Sequence, residues 1–133
     1  MTGVLRAKTL SVSIACPPGR VYGFVSNPEN LPKWGTAFCR SVRKSKGEWI
    51  VETPDGPVRI KFVARNTFGV LDHSVTLAPG LEIVNPMRVV PNGSGCEVVF
   101  TLFQLPNMSE EKFAEDAGLV ERDLRTLKSV LEG

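Results

Sequence analysis

The last stretch of the chain constrains the fold most. Phe113, Ala117, Val120, Leu124, Leu127 and Leu131 recur at steps of four, three, four, three and four. That spacing makes one apolar stripe along an α-helix. Ser109 stands where a capping hydroxyl belongs, followed by Glu110, Glu111 and Lys112. Early acids (Glu110, Glu111, Glu115, Asp116) and late bases (Arg122, Arg125, Lys128) complement the helix dipole. A helix with one greasy face must lay it on something, and most of the chain before it reads as strands.

Lys8 to Ile14 alternates, with Leu10, Val12 and Ile14 on one face, as a half-buried strand does. Cys16-Pro17-Pro18 ends that strand, and Pro18 suits a first helical turn. Val21, Phe24 and Val25 recur at helical spacing until Asn27-Pro28 stops them, and Leu31-Pro32-Lys33-Trp34 reads as a second brief turn. Strands are predicted over Phe38–Lys44, Glu48–Thr53, a partner through Phe62, Val70–Leu77, Leu81–Val90 and Cys96–Leu105. Asp55-Gly56 is a two-residue hairpin signal. It predicts Thr53 opposite Val58, Glu52 opposite Arg59, Val51 opposite Ile60 and Trp49 opposite Phe62. A three-residue loop at Ala78-Pro79-Gly80 predicts Val75 opposite Ile83, His73 opposite Asn85 and Leu71 opposite Met87. Pro86 cannot donate to a ladder, so it marks an edge or a bulge.

The order is strand, two short helices, six strands, one long helix. Together with Cys16-Pro17-Pro18-Gly19-Arg20-Val21-Tyr22-Gly23-Phe24-Val25 running into Asn27-Pro28-Glu29-Asn30-Leu31-Pro32-Lys33-Trp34, it resembles the START-like (SRPBCC) superfamily. That superfamily includes polyketide cyclase/dehydrase and lipid-transport proteins. The resemblance covers nearly the whole chain and is specific for fold rather than function. It implies an α+β helix-grip fold: a curved antiparallel sheet of about seven strands wrapped around the C-terminal helix, with a cavity between. Residues 1–133 then make a single START-like domain.

Composition excludes several classes. Apolar content of 42% with 23% charge fits a globular chain. A net charge of +2 is too small to argue for nucleic acid. Arg40, Arg43, Lys44 and Lys46 form a basic run, but Glu48 and Glu52 follow it, so a solvated ion-pair lattice explains most of it. Cys16, Cys39 and Cys96 are widely spaced and in no metal pattern, and they read as reduced thiols of a cytoplasmic protein. No signal peptide is expected, because the N-terminus lacks an apolar core. No apolar run approaches the about 20 residues of a membrane span. No phosphate loop, nucleophile elbow or metal cluster is present, so no cofactor is expected.

His73 is the one histidine, and the alternation sets it on the apolar face. It is either a core histidine satisfied by a neighbour or a polar group that orients a ligand or moves a proton. Asp72 faces the other way, so an Asp–His dyad is not expected, and Arg65 or Arg88 is the expected neighbour of Asp72. Gly118 inside the long helix either leaves room for a ligand or a ring, or marks a tolerant position.

Three functions follow as expectations. The first is a module binding a small hydrophobic or aromatic molecule, lined by Trp34, Trp49, Phe62, His73, Asn85, Met87, Phe100, Val120 and Leu124. The second, implied by the resemblance, is a cyclase/dehydratase-like enzyme with His73 as acid or base. The third is an interaction module that pairs with itself, as a homodimer, or with another protein through a sheet edge or the helix flank.

Overall fold

A computed structural model describes residues 3–133. Its first sheet holds β1 (Ala7–Ile14), β8 (Gly95–Phe103) and β7 (Met87–Asn92), in that spatial order. Leu10 faces Phe100, Val12 faces Val98 and Ile14 faces Cys96, so the alternation of β1 becomes one apolar face. The second sheet is a meander of β2 (Ser41–Ser45), β3 (Glu48–Thr53), β4 (Gly56–Phe62), β5 (His73–Ala78) and β6 (Leu81–Asn85). Between β1 and β2 lie α1 (Pro18–Val25), a 3-10 turn (Pro28–Asn30) and α2 (Leu31–Trp34). The long helix α3 spans Glu110–Glu132. This is the α+β helix-grip arrangement, with eight strands among the described residues rather than the expected seven.

The extra strand comes from Pro86. The stretch expected as one strand, Leu81–Val90, breaks there into β6 and β7, because proline lacks the N–H that would continue the ladder. The chain turns a corner from one sheet into the other. The sheets stay stitched: the Leu71 N–H donates to the Met87 carbonyl at 2.8 Å, and the Val89 N–H donates to the Gly69 carbonyl at 2.9 Å. Two strands of the second sheet, β2 and β5, are also shorter at their N-terminal ends than the alternation predicts. β2 starts at Ser41, after a turn in which Phe38 and Cys39 bond the Gly35 carbonyl. β5 starts at His73, with Val70 making only a bridge to Arg88.

The β3–β4 register differs from the expectation by two residues. Val51 faces Val58, Trp49 faces Ile60, and Thr53 faces Gly56. Pro54 and Asp55, not Asp55 and Gly56, form the loop. Proline holds φ negative, which suits the first central position of an ordinary turn. Gly56 then takes the positive φ, at 110°. A shift of two preserves the faces but changes the charge partners. Arg59 pairs with Glu48 at 3.3 Å and Glu52 with Arg43 at 3.7 Å. The expected pairings of Val75 with Ile83 and of His73 with Asn85 are present. The loop beyond them is the two residues Pro79-Gly80, with an irregularity at Leu77 taking up the odd residue.

The stripe of α3 is buried: Phe113, Ala117, Val120, Leu124, Leu127 and Leu131 are all core. Leu127 is 0% exposed, and burying one leucine fully contributes about 1.5–3 kcal/mol. The helix packs on β1, β8 and α2, so it lies on the face that carries Val98 and Phe100. Ser109 Oγ caps it, accepting from the Lys112 N–H at 3.0 Å. At its other end Lys128 Nζ donates to the Ser13 carbonyl at 2.7 Å, and the Glu132 carboxylate accepts from the Ala15 N–H at 2.7 Å. Arg6 pairs with Glu110 near the start of the helix. Both ends of α3 are thereby fastened to the β1 segment. No helix among the described residues is long and apolar enough to cross a membrane.

Candidate functional site

His73 opens β5 on the inward face. It is buried, its ring 4.9 Å from that of Phe62 and 5.9 Å from that of Phe100. Nδ1 lies 3.0 Å from the Leu71 carbonyl. A carbonyl only accepts, so Nδ1 carries the proton and Nε2 keeps the lone pair. Burial holds the imidazole below its ordinary pKa, so it is neutral near pH 7. Nε2 has no hydrogen-bond partner among the described residues. Asn85 sits across the ladder from His73.

Asp72 points outward, as expected. Its carboxylate takes two bonds from Arg88, at 2.9 and 3.1 Å, and accepts the Met87 N–H at 2.8 Å. The Arg88 hydrogen bond holds its pKa below the ordinary value. It is committed on the far side of the sheet and forms no dyad with His73.

The other candidate lining residues divide into two groups. Trp34, Met87, Phe100, Val120 and Leu124 are buried in the core, with Met87 and Phe100 paired across β7 and β8. Trp49, Phe62 and Asn85 are half-buried. The structure brings Phe62, His73, Asn85, Met87 and Phe100 together, whereas Trp49 stands further out, beside Ile60. The half-buried group has company: Val58, Ile60, Val75 and Ile83 share its inward face and are also half-buried. The cause is geometric. The helix settles on the β1–β8 side and against α2, leaving part of the inner face of β3–β6 uncovered.

Sequence reasoning missed a buried acid. Asp123 lies within the α3 stripe, three residues after Val120, and is 4% exposed. Its Oδ1 accepts the Ala37 N–H at 2.9 Å, which ties the α2–β2 loop to the helix. Burial pushes its pKa up to about 6. Burial and the nearby Asp123 push the Cys39 thiol up to about 11, the opposite of what a nucleophile needs. The buried Trp34 Nε1 has no partner among the described residues. The only available signal for Asp123 was its helical phase, which coincides with the stripe. Tyr22 is likewise structural: its hydroxyl accepts the Asn66 N–H at 2.9 Å. Gly118 is exposed, and a Cβ there would meet no atom within 4 Å, so no ring packs over it. No group of three or more potential metal ligands occurs among the described residues.

Two open grooves mark the surface. One runs along the solvent side of α3 between Gly118 and Val130. The other, of about 620 Å³, lies where the 3-10 turn and α2 meet the edge of the second sheet. Glu29, Pro32, Arg40, Val42, Lys44 and Trp49 are among its walls. Lys44 Nζ sits 5.5 Å from the centre of the Trp49 ring.

Comparison with known proteins agrees with this architecture. The protein XoxI from Bacillus cereus superposes with a TM-score of 0.77 at 19% identity, covering 96% of each chain. Ara h 8.0201 superposes at 0.71 with 13% identity, over 97% of this chain and 99% of its own. The Aha1 dimer from Colwellia psychrerythraea gives 0.77 at 13%, over 96% and 97%. Such identities establish fold alone. No curated protein matches. Residues 8–132 match the family described as polyketide cyclase / dehydrase and lipid transport. The chain therefore belongs to the polyketide cyclase/dehydrase and lipid transport family, within the START-like group.

Proposed function

We propose that this protein binds a small apolar or aromatic molecule against the uncovered inner face of β3–β6. The observation that carries the reading is the cluster Trp49, Val58, Ile60, Phe62, Val75 and Ile83. These six apolar side chains share one inward face and are each left half-buried. Exposed apolar surface costs about 25 cal/mol per Å², and a ligand that covers it recovers that cost. The neutral His73 stands at the floor of this face. Its Nε2 lone pair accepts a hydroxyl or N–H from the ligand, and the Asn85 amide offers a second polar contact. Membership in a family described by cyclase, dehydrase and lipid-transport activities supports a small organic ligand. Native mass spectrometry of the protein purified from its own host tests the reading. A retained small molecule, lost when Phe62→Ala and Ile60→Ala are combined, is expected. A protein that emerges empty and also fails to take up 2-naphthol at millimolar concentration contradicts it.

A second reading is cyclase- or dehydratase-like chemistry with His73 as the base. The unpartnered Nε2 favours it. It requires that His73→Gln abolish turnover of a bound substrate while leaving its binding within about twofold.

A further inference from the structure

We infer that the ligand is an amphipathic monocarboxylate, its apolar body on the inner sheet face and its anion held by Arg40 and Lys44 at the β2 edge. This rests on the binding function proposed above and adds the charge of the ligand to it.

The placement of Lys44 follows from strand alternation. Val42 pairs with Val51 and Lys44 with Trp49, so Val42 and Lys44 point to the inward face. Arg40 stands just before β2, its N–H donating to the Glu52 carbonyl at 2.8 Å one residue out of the ladder register, and alternation does not place it; it borders the same groove as Val42 and Lys44. Both cations enter the 620 Å³ groove beside Trp49, and Trp49 continues into Ile60 on the inner face. The groove and the apolar face share Trp49.

The charge accounting is specific. The acids on β3 are taken, Glu48 by Arg59 and Glu52 by Arg43. Among the described residues, neither Arg40 nor Lys44 has a carboxylate within 4.0 Å. Glu29 is the one acid on the groove wall. Arg40 and Lys44 against Glu29, with Arg43 and Glu52 cancelling, leave one net positive charge. That matches a monoanion better than a phosphate dianion. The same accounting explains why the basic run is not wholly an ion-pair lattice: the lattice absorbs Arg43 and Arg59 and leaves these two. The cations flank a recess lined by Val42 and Trp49 rather than a raised face, so a soluble amphiphile fits better than a flat membrane surface.

The test uses a matched pair, 2-naphthoate and its neutral methyl ester, titrated calorimetrically at low and high salt. The full-length protein is expected to bind the carboxylate about fivefold more tightly than the ester in 50 mM salt. Half-exposed ion pairs reach roughly that size, and the gap should shrink in 500 mM salt. The double variant Arg40→Gln, Lys44→Gln should lose the preference while keeping its affinity for the ester. Equal binding of the two compounds, or a preference that survives in the variant, overturns the anchor and leaves the apolar site standing. Binding of neither overturns the site and the anchor together. Co-sedimentation with phosphatidylserine vesicles without uptake of naphthoate reassigns the cations to a membrane surface and also overturns the anchor.

Discussion

Asp123→Asn isolates the energetic consequence of an acid placed inside the helix stripe. The carboxyl has an ordinary value of 3.8 and is pushed up to about 6 by burial. Between those values the folded protein holds a proton that the unfolded chain has released. Stability from this group therefore rises as pH falls from about 6 toward 4, and above pH 6 the buried charge is a cost. Two units at about 1.4 kcal/mol each set that cost near 3 kcal/mol at pH 7. Asparagine carries no charge at any of these pH values and keeps the oxygen that accepts the Ala37 N–H. Its added amide hydrogens need partners, which reduces the gain to about 2 kcal/mol. His73 works in the opposite sense. Its lowered pKa means the unfolded chain takes up the proton first, so stability falls as pH drops below 6.5. His73 is present in both proteins and cancels in their difference. Urea unfolding followed by tryptophan fluorescence from pH 4.5 to 7.5 should show the variant about 2 kcal/mol more stable at pH 7, with a gap that closes toward pH 4.5. A gap independent of pH, or a variant less stable at pH 7, would refute the buried-charge reasoning.

Three further outcomes are expected. Gly118→Ala lies in an exposed helical position with nothing within 4 Å, and should raise stability by about 0.5–1 kcal/mol in thermal denaturation. Gly69→Ala should do the reverse. Gly69 holds φ at 73°, and a Cβ there would fall 2.3 Å from the Val89 carbonyl oxygen, so a loss of at least about 2 kcal/mol is expected from the denaturation midpoint. Nitrogen-15 NMR of His73 should show the proton on Nδ1 and a midpoint below 6.5, because burial opposes the charged form; a normal or raised midpoint would show the ring to be solvated.

Local periodicity made most of the fold legible. The α3 stripe and its Ser109 cap were readable because helix phase and capping are decided within a few residues. The His73–Asn85 pairing follows from a three-residue loop that matches the apolar faces; the loop is two residues, and the irregularity at Leu77 restores the same pairing. The β3–β4 register was not, because Pro54 before Asp-Gly moves the turn by one position, which moves the pairing by two. Pro86 was recognised as a disturbance, but only the tertiary structure shows that it is a corner between sheets. The site was less legible for a related reason. Whether an inward apolar residue is core, like Met87, or half-open, like Ile60, depends on where the helix comes to rest. The burial of Asp123 and the freedom of Arg40 and Lys44 likewise depend on partners brought by other elements.

The most direct test of the account follows the methyl groups by carbon-13 NMR while methyl 2-naphthoate is added. Shifts should move at Val58, Ile60, Val75 and Ile83 on the inner face and stay still at the outward Val84, Val90 and Val130. Movement confined to the outward valines, or none at a ligand concentration that saturates any other signal, would contradict it.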